Sequence, residues 1–213
     1  MKKYFIAGTD TEVGKTYVTC LICNYLKKKG FKVGTLKPIE SGVENNPTPD
    51  FKKIALASGD IEKPIYILKK PLAPYISAKL DNIEISIERI IKFYENDIKN
   101  TYDYYFIEGA GGLFVPITKN YLYIDLIKMF NCEVILVART NLGTVNHTLL
   151  SIEALEKRKI PIKGIILNEI FETDEFMLKN NIEMIEHFSK HKVLTVIRKN
   201  QDKLTNNFKN GII

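Results

Sequence analysis

Short apolar runs recur along this chain, and each is followed by a stretch in which apolar residues return at helical spacing. The runs are rich in β-branched and aromatic residues and do not alternate with polar ones, which is typical of strands buried on both faces. They lie at 4–7, 33–36, 104–107, 134–138, 162–167 and 193–197. The helical stretches begin after Lys15 and recur around 84–98, 121–130, 145–157 and 175–188. This alternation predicts an α/β fold with a mostly parallel central sheet and helices on both faces.

The segment 42–82 breaks the alternation because it is rich in proline. We predict loops there, around a short helix near 50–58. Loops of this length in a compact domain are often functional. The rest of the chain shows no internal repeat and no linker, so a single domain over residues 1–213 is predicted.

The formal net charge of +6 raises the question of nucleic-acid binding. The lysines are scattered, however, and no basic stripe interleaved with aromatic residues is present, so nucleic acid is not favoured as a partner. A mildly positive field instead favours anionic substrates. The first apolar run is too short for a signal peptide, and no stretch approaches the length of a membrane span. We therefore predict a cytoplasmic protein that does not enter a membrane.

The cysteines Cys20, Cys23 and Cys132 form an odd, sparse set, which suits a reducing compartment. Cys20 and Cys23 make a C-x-x-C spacing, but inside a predicted helix rather than at a helix N-terminus, where a thiolate is stabilised. No second pair of ligands is present for zinc. We therefore predict buried structural thiols rather than a redox or metal site.

The sequence G-T-D-T-E-V-G-K-T at 8–16 follows a predicted strand and opens a predicted helix, as a phosphate-binding loop requires. Gly8 and Gly14 allow backbone N–H groups to turn inward around phosphate oxygens, and the helix N-terminus adds partial positive charge. Lys15 can reach the β- and γ-phosphates, and the Thr16 hydroxyl can ligate Mg²⁺. A chance G-K-T in a plain turn is disfavoured because motif and context agree. The loop predicts a fold of P-loop NTPase type that binds a nucleoside triphosphate with Mg²⁺.

Polar residues follow other predicted strands, at the edge of the sheet where parallel α/β folds bind ligands. Lys37 follows the second run, and Pro38 holds it in an extended conformation, so its ammonium group could lie near the γ-phosphate or in solvent. Glu108, followed by the small residues 109–112, is predicted to hold Mg²⁺ directly or through water. Asp50 lies at a predicted helix start, where it could cap the helix or ligate Mg²⁺.

Asn168 follows the fifth run, and an asparagine amide can pair with the N6 and N7 edge of adenine. The sequence at 168–170 is not the Asn-Lys-x-Asp pattern of guanine readers, so ATP is favoured over GTP. Another helix is predicted to begin just after Gly143, and its N-terminus is a plausible anion site. His147 in its first turn is by itself more often structural than catalytic.

Together these segments resemble the dethiobiotin synthetase family. The matches extend from the N-terminus to about residue 170, and the combination of the first three blocks is highly specific. The blocks are G-T-D-T-E-V-G-K-T at 8–16, K-P-I-x-S-G at 37–42, E-G-A-G-G at 108–112, V-P-I at 115–117 and N-L-G-x-x-N-H-T at 141–148.

The resemblance implies roles for individual residues. The implied catalytic residues are Lys37, Lys15 and Thr11, and the implied Mg²⁺ ligands are Thr16, Asp50 and Glu108. The implied contacts to ATP and its metal are Glu12, Val13, Gly14, Lys15, Thr16, Tyr17, Asp50, Glu108, Gly109, Ala110, Gly111 and Asn168. The implied substrate contacts are Thr11, Lys37, Ser41, Gly111, Thr144, Val145 and Asn146. By the same resemblance, the helix start at 144–147 receives the substrate carboxylate across a homodimer interface.

The family forms the ureido ring of dethiobiotin from diaminopelargonic acid (7,8-diaminononanoate), CO₂ and ATP. The resemblance therefore implies a ligase of biotin biosynthesis that uses ATP and Mg²⁺. The chemistry agrees with the charges, because a carbamate anion that attacks the γ-phosphate needs cations to neutralise the accumulating charge. Holding the second amine in place for ring closure replaces a bimolecular attack, which is worth up to about 7–11 kcal/mol.

Three other classes of protein share parts of this pattern. Partition- and division-site ATPases carry a second lysine early in the loop, where this chain has Asp10. Amidoligases of the cobyrinate type need a fused glutamine amidotransferase domain, for which 213 residues leave no room. A small-molecule kinase would stop after phosphoryl transfer. Phosphate release that depends on both a diamine and bicarbonate would separate the ligase from all three.

Overall fold

The structure of the protein, a computed structural model, describes residues 1–99 and 101–204. Strands and helices alternate along this part of the chain. In chain order they are β1 Lys2–Gly8, α1 Lys15–Lys28, β2 Val33–Ser41, α2 Asp50–Ser58, β3 Pro64–Leu68, α3 Pro74–Leu80, α4 Ile87–Asp97, β4 Tyr104–Gly112, α5 Tyr123–Phe130, β5 Glu133–Arg139, α6 Thr144–Lys157, β6 Ile162–Asn168, α7 Glu175–Ser189 and β7 Val193–Ile197.

The described strands form one seven-stranded sheet in the order β3-β2-β4-β1-β5-β6-β7. Every neighbouring pair is parallel. This confirms the predicted α/β class, and here the sheet is parallel throughout. The prediction of one domain over 1–213 extends beyond the described residues and stays a prediction.

The sheet is buried on both faces, as the continuous apolar runs predicted. Successive residues of β1 point to opposite sides, so Phe5 packs on one face and Ile6 on the other, and both are fully buried. Burial of a side chain of this size stabilises the fold by about 1.5–3 kcal/mol. The core on one face is covered by α1 and α2, and the core on the other by α3 to α7. Among the described residues, no helix is both long and apolar enough to cross a membrane.

The prediction for the segment 42–82 was partly wrong. Its helix is confirmed at Asp50–Ser58, but β3 and α3 also lie in this segment, where we expected only loops. Pro64 is the first residue of β3, which is an edge strand of the described sheet, and Pro74 is the first residue of α3. Proline is tolerated at both kinds of position, because neither needs a backbone N–H there. The prolines therefore begin these elements and do not interrupt them.

The strands β2 and β4 continue past the predicted strand ends, to Ser41 and Gly112. Their mutual pairing nevertheless stops at Leu36 and Ile107. From Lys37 onward β2 pairs with β3, whereas β4 continues beside β1. The two strands therefore separate at the carboxyl edge of the sheet, which opens a crevice between them.

Candidate nucleotide and substrate site

The crevice between β2 and β4 belongs to a cavity of about 970 Å³, which is at the upper end of the range for ligand pockets. The loop after β1, the first turns of α1 and α2, the end of β2, residues 71–74 and the end of β4 all contribute to its wall. Most of the residues singled out in the sequence line it together: Thr11, Glu12, Gly14, Lys15, Thr16, Tyr17, Lys37, Ser41, Asp50, Ala110 and Gly111. The spatial convergence of separate strand ends, which the sequence predicted, is therefore present.

The loop between β1 and α1 packs closely around Gly8 and Gly14, as expected of a phosphate-binding loop. Nζ of Lys15 donates to the backbone carbonyl of Asp10 at 3.0 Å. A Cβ atom at Gly8 would lie 2.8 Å from both Nζ of Lys15 and the Asp10 carbonyl oxygen. Position 8 therefore has no room for a side chain. Gly14 adopts a φ of +86° at the start of α1, and a Cβ there would lie 2.0 Å from Nδ2 of Asn168.

Buried charges meet at the bottom of the cavity. Nζ of Lys37 lies 2.7 Å from Oε1 of Glu108 and 3.0 Å from Oδ2 of Asp50. Lys37 is 5% exposed and Glu108 is completely buried. The second oxygen of Asp50 accepts from Lys53, which also lines the cavity. The result is a chain of alternating charges that runs from the protein interior to the cavity wall.

Glu108 also links this chain of charges to the helix that follows the loop. The hydroxyl of Thr16 donates to Oε1 of Glu108 at 2.6 Å, and the hydroxyl of Thr19, one turn further along α1, donates to Oε2 at 2.6 Å. The carboxylate of Glu108 is therefore fixed by three donors from two elements. Both of its oxygens keep a defined orientation relative to the phosphate loop.

The pKa values in the site follow from burial and from these neighbours. Burial lowers the pKa of Lys15 to about 8, although Glu108 partly opposes this. Burial alone would also lower the pKa of Lys37, but Glu108 and Asp50 outweigh it and hold this pKa above its ordinary value. Burial raises the pKa of Asp50, but Lys37 and Lys53 outweigh it and bring this pKa down to about 2. At neutral pH the site therefore holds an ionised Asp50 and a protonated Lys37 side by side.

The oxygen donors suit Mg²⁺ better than a transition metal. Among the described residues, no group of three or more His, Cys, Asp or Glu side chains is arranged to hold a metal ion. Glu108 contacts the hydroxyl of Thr16 and the ammonium group of Lys37, and Lys37 also contacts Asp50. One hydroxyl and two carboxylates therefore belong to one connected group of contacts. Mg²⁺ typically uses one or two carboxylates and completes its shell with water and substrate phosphates. The residues therefore fit an ion that arrives with a triphosphate.

Asn168 and Tyr17, two predicted nucleotide contacts, both lie close to the phosphate loop. Asn168 is buried, and its Nδ2 donates to the carbonyl of Val13 at 3.0 Å, so the amide supports the phosphate loop from below. Tyr17 lines the cavity, and its hydroxyl donates to the carbonyl of Gln201. The chain after β7 therefore lies beside the start of α1. The role of Asn168 as an adenine reader stays a prediction.

Several predicted residues do not line this cavity. Val13 is fully buried and Gly109 packs against the ring of Phe5. The start of α6 faces elsewhere. Thr144 is buried and its hydroxyl donates to the backbone carbonyl of Arg139, whereas Asn146 is exposed. Glu108 lies behind the wall, in contact with Lys37 and Thr16, which do line the cavity. The predicted residues that do not line the cavity are Val13, Glu108, Gly109, Thr144, Val145, Asn146 and Asn168.

Comparison with known proteins distinguishes among the protein classes that share this phosphate loop. The chain matches a protein-family model described as an AAA domain over residues 2–207. It is 38% identical over 199 residues to the ATP-dependent dethiobiotin synthetase of Methanococcus vannielii, covering 93% of this chain and 94% of that protein. It is 44% identical to the enzyme of the same name from Thermodesulfovibrio yellowstonii, covering 78% and 75%. With the enzyme from Bacillus subtilis strain 168 the identity is 35%, and 93% and 88% are covered.

The chain belongs to the dethiobiotin synthetase family. This confirms the family resemblance that the sequence blocks indicated.

Solved structures show how far the fold itself is shared outside the dethiobiotin synthetase family. The MinC:MinD cell division complex of Aquifex aeolicus superposes with a TM-score of 0.60 at 18% identity, covering 99% of this chain and 86% of that chain. A ParA family ATPase from Chlorobium tepidum gives 0.55 at 14% identity, covering 98% and 88%. These likenesses confirm a P-loop NTPase fold. At such low identity they indicate no shared activity, so the structural similarity alone would not have excluded a partition- or division-site ATPase.

The structure adds site residues that the sequence blocks of the dethiobiotin synthetase family did not single out. Glu40, Lys53 and Cys20 line the cavity, as does an apolar wall at 71–74 and Val115. No motif marks 71–74, where the prolines predict only a loop. Lys53 follows Asp50 by one helical turn, a spacing that becomes informative only once Asp50 is placed at a site.

Arg139 is a further residue that the sequence did not indicate. Its guanidinium donates to the carbonyl of Thr11 at 3.0 Å, so the end of β5 supports the long phosphate loop. The interpretation of the cysteines is confirmed for Cys23 and Cys132, which are free and buried. Cys20 is only half buried, because it faces the cavity. Burial raises the pKa of its thiol to about 12, so it is not a thiolate at neutral pH.

Proposed function

We propose that this chain is a dethiobiotin synthetase. It converts 7,8-diaminononanoate (diaminopelargonic acid), CO₂ and ATP into dethiobiotin, ADP and phosphate in an Mg²⁺-dependent reaction of biotin biosynthesis. One observation supports this most. Lys15 of the phosphate loop, Lys37 of β2 and the carboxylate of Asp50 share one cavity with an apolar wall, and the buried carboxylate of Glu108 contacts Lys37 directly behind that wall. Such a cavity can hold a triphosphate, a metal ion and an aliphatic diamine together.

The first step makes an anion that must approach another anion. An amine of the substrate attacks CO₂ and loses a proton, which gives a carbamate. A carbamate oxygen then attacks the γ-phosphorus, and the bond to ADP breaks. Lys15 and Lys37 lie where charge accumulates in this transfer and stabilise it electrostatically. Mg²⁺, held by Thr16, Asp50 and Glu108, would supply the remaining positive charge and orient the phosphates.

Ring closure follows from the mixed anhydride of carbamate and phosphate. The second amine attacks the carbonyl carbon, the carbon–oxygen bond to phosphate breaks, and the nitrogen loses its proton. The cavity favours this step because it holds both amines near the same reacting centre. The apolar wall at 71–74 and Val115 would pack against the alkyl chain of the substrate, and Thr11, Ser41 and Gly111 would contact its polar end.

We also infer a homodimer in which the start of α6 completes the substrate site of the other copy. In one chain Thr144, Val145 and Asn146 do not line the cavity. Just before them Leu142 is 85% exposed, so its side chain is accessible for packing against a second copy. We expect Leu142→Glu to give a monomer by light scattering, with a raised substrate KM and an unchanged affinity for nucleotide. A wild-type protein that is monomeric at working concentration would contradict this inference.

A cytoplasmic location is part of the same proposal. Its support is the set of free cysteines, which suits a reducing compartment. Recovery of the protein with the membrane or exported fraction of its host would contradict it.

The proposed activity is tested by the dependence of phosphate release on the substrates. We expect phosphate and dethiobiotin to form in equal amounts, and only when diamine, bicarbonate, ATP and Mg²⁺ are all present. ATP hydrolysis without the diamine would indicate a switch ATPase, and a stable phosphorylated product without free phosphate would indicate a kinase. Either result would overturn the proposal.

A further inference from the structure

Glu40 lies near the end of β2 and is 4% exposed. Both of its carboxylate oxygens accept hydrogen bonds from backbone N–H groups. Oε1 accepts from the N–H of Asp50 at 2.5 Å, and Oε2 accepts from the N–H of Phe51 at 2.8 Å. These N–H groups belong to the first two residues of α2. The carboxylate therefore caps a helix that is distant from it along the chain.

The helix has no other N-terminal cap within its own sequence. The residue before α2 is Pro49, whose side chain accepts no hydrogen bond from the helix. The first N–H groups of a helix have no partner inside it, and a buried N–H without a partner is costly. A negative charge at a helix N-terminus is also favourable. Glu40 supplies the hydrogen-bond acceptors that α2 lacks locally, and it adds a second carboxylate to that of Asp50 in the first turn.

This cap acts directly on a residue of the candidate metal site. Glu40 accepts a hydrogen bond from the backbone N–H of Asp50. The side-chain Oδ2 of Asp50 in turn lies 3.0 Å from Nζ of Lys37. The preceding segment, which contains Pro47 and Pro49, forms neither helix nor strand. The hydrogen bonds of Glu40 therefore set the position of the Asp50 backbone relative to the end of β2.

Glu40 differs from the proposed metal ligands in the groups that hold its carboxylate. Both of its oxygens already accept short hydrogen bonds from backbone N–H groups. The donors to Asp50 and Glu108 are side chains, which can turn away when a metal ion binds, whereas the donors to Glu40 are fixed in the backbone of α2. A positioning role through Asp50 is compatible with every contact that Glu40 makes.

We propose that Glu40 is a positioning residue that fixes Asp50 for the binding of Mg²⁺ with nucleotide. The inference rests on the metal role given to Asp50 in the proposed function. Groups that orient metal ligands typically change metal affinity by about 10- to 100-fold when they are removed. We therefore expect Glu40→Gln, which keeps the volume but offers only one acceptor, to weaken Mg²⁺ binding by about tenfold.

The test is calorimetric binding of a non-hydrolysable ATP analogue as a function of Mg²⁺ concentration. We expect the half-saturating Mg²⁺ concentration to rise in Glu40→Gln, while the affinity at saturating Mg²⁺ is restored. Hydrogen exchange of the Asp50 and Phe51 amides in the ligand-free protein should be faster as well. A purely structural role would lower the fraction of binding-competent protein and leave the Mg²⁺ midpoint unchanged.

The matched control is Ser86→Ala, which removes the side-chain cap of α4, where Ser86 accepts from the N–H of Arg89 at 3.1 Å. This variant should lower the melting temperature without moving the Mg²⁺ midpoint. An equal shift of the midpoint in both variants would show that any loss of stability produces the effect, and would overturn the proposal.

A second variant tests the length of the side chain at position 40 separately from its charge. Glu40→Asp keeps the negative charge but is one methylene shorter, so it cannot hold both N–H groups. We expect it to shift the Mg²⁺ midpoint in the same direction as Glu40→Gln. A wild-type midpoint in Glu40→Asp would show that only charge matters, and the positioning argument would fail.

Asp50→Asn, measured in parallel, distinguishes this inference from the proposed function. If Asp50→Asn moves the Mg²⁺ midpoint and both Glu40 variants do not, the positioning role of Glu40 is wrong and the metal site stands. If Asp50→Asn leaves the midpoint unchanged, the metal role of Asp50 is wrong, and the inference about Glu40 falls with it.

Discussion

Nζ of Lys37 lies 2.7 Å from Oε1 of Glu108, and these two buried side chains directly follow the last paired residues of β2 and β4. Leu36 and Ile107 are paired, but beyond them the strands separate. The lysine and the glutamate face each other across the opening. If Glu108 holds Mg²⁺ as proposed, its carboxylate would be shared between the ion and Lys37. Lys37 would then have hydrogen-bond donors available for phosphate oxygens.

Replacement of Lys37 by alanine should abolish most turnover while nucleotide still binds. The reason is that Lys15 and the loop N–H groups hold the triphosphate, whereas Lys37 is assigned to charge that develops during transfer. We expect kcat to fall by about 100- to 1,000-fold. The dissociation constant for ATP, measured by calorimetry, should change little. Unchanged turnover in Lys37→Ala would refute the catalytic role.

A buried lysine outside the cavity provides the control for Lys37→Ala. Nζ of Lys63 lies 2.5 Å from Asp60 and 2.7 Å from Asp97, with the side chain 2% exposed. Lys63→Ala therefore also leaves buried carboxylates without their cation, which costs about 3–5 kcal/mol of stability. Turnover per folded molecule should be retained. A comparable loss of kcat would mean that destabilisation, rather than lost chemistry, explains Lys37→Ala.

Loss of the Glu108 carboxylate should raise the Mg²⁺ requirement. Glu108→Ala removes the side chain, and Glu108→Gln removes the charge at nearly constant volume, so both should raise the half-saturating Mg²⁺ concentration by about tenfold or more. Thr19→Val removes the hydrogen bond to Oε2, together with the contact of the same hydroxyl to the carbonyl of Lys15, but leaves the carboxylate in place and should shift it less. The measurement is an activity titration with Mg²⁺. Titration curves that coincide with the wild type would count against metal ligation by Glu108.

Gly14→Ala should destabilise the protein and prevent nucleotide binding. A Cβ at this position would lie 2.0 Å from Nδ2 of Asn168, in addition to the strain of a φ of +86°. The control is Gly30→Ala, since Gly30 has a φ of +87° but a Cβ added there would meet nothing within 4 Å. Strain alone costs about 1–2 kcal/mol. Calorimetric melting should show a larger loss for Gly14→Ala, and equal losses would contradict the role of the contact with Asn168.

Nucleotide binding should take up a proton at alkaline pH. Burial lowers the pKa of Lys15 to about 8, so in the ligand-free protein this lysine is protonated at pH 7 and largely neutral at pH 9. A bound phosphate favours the charged form and raises the pKa. Binding at pH 9 should therefore take up a proton at Lys15, and binding at pH 7 should not. Calorimetry in buffers of different ionisation enthalpy measures this uptake.

The control for proton uptake is Lys15→Arg, because a guanidinium stays charged over the whole pH range. In this variant the uptake at pH 9 should disappear while some affinity remains. If wild type and variant take up the same number of protons at pH 9, the proton does not go to Lys15.

The prolines of 42–82 show where sequence-based prediction of the fold failed. Their density predicts loops, but Pro64 and Pro74 are the first residues of β3 and α3. Proline is unfavourable inside an element and tolerated at its first position, so composition alone does not decide between a loop and an element start. The position of β3 beside the end of β2 settles the matter, and that is a long-range contact.

The sequence by itself determined the features that depend on neighbouring residues. Burial of the strands follows from continuous apolar runs, and the phosphate loop follows from glycines whose conformations are local. Only the tertiary structure decided the contacts among Lys37, Glu108 and Asp50, and the cap that Glu40 places on α2. These contacts join separate segments of the chain, and they depend on where β2 leaves β4 and pairs with β3. No local pattern encodes that point, because it results from packing the whole sheet.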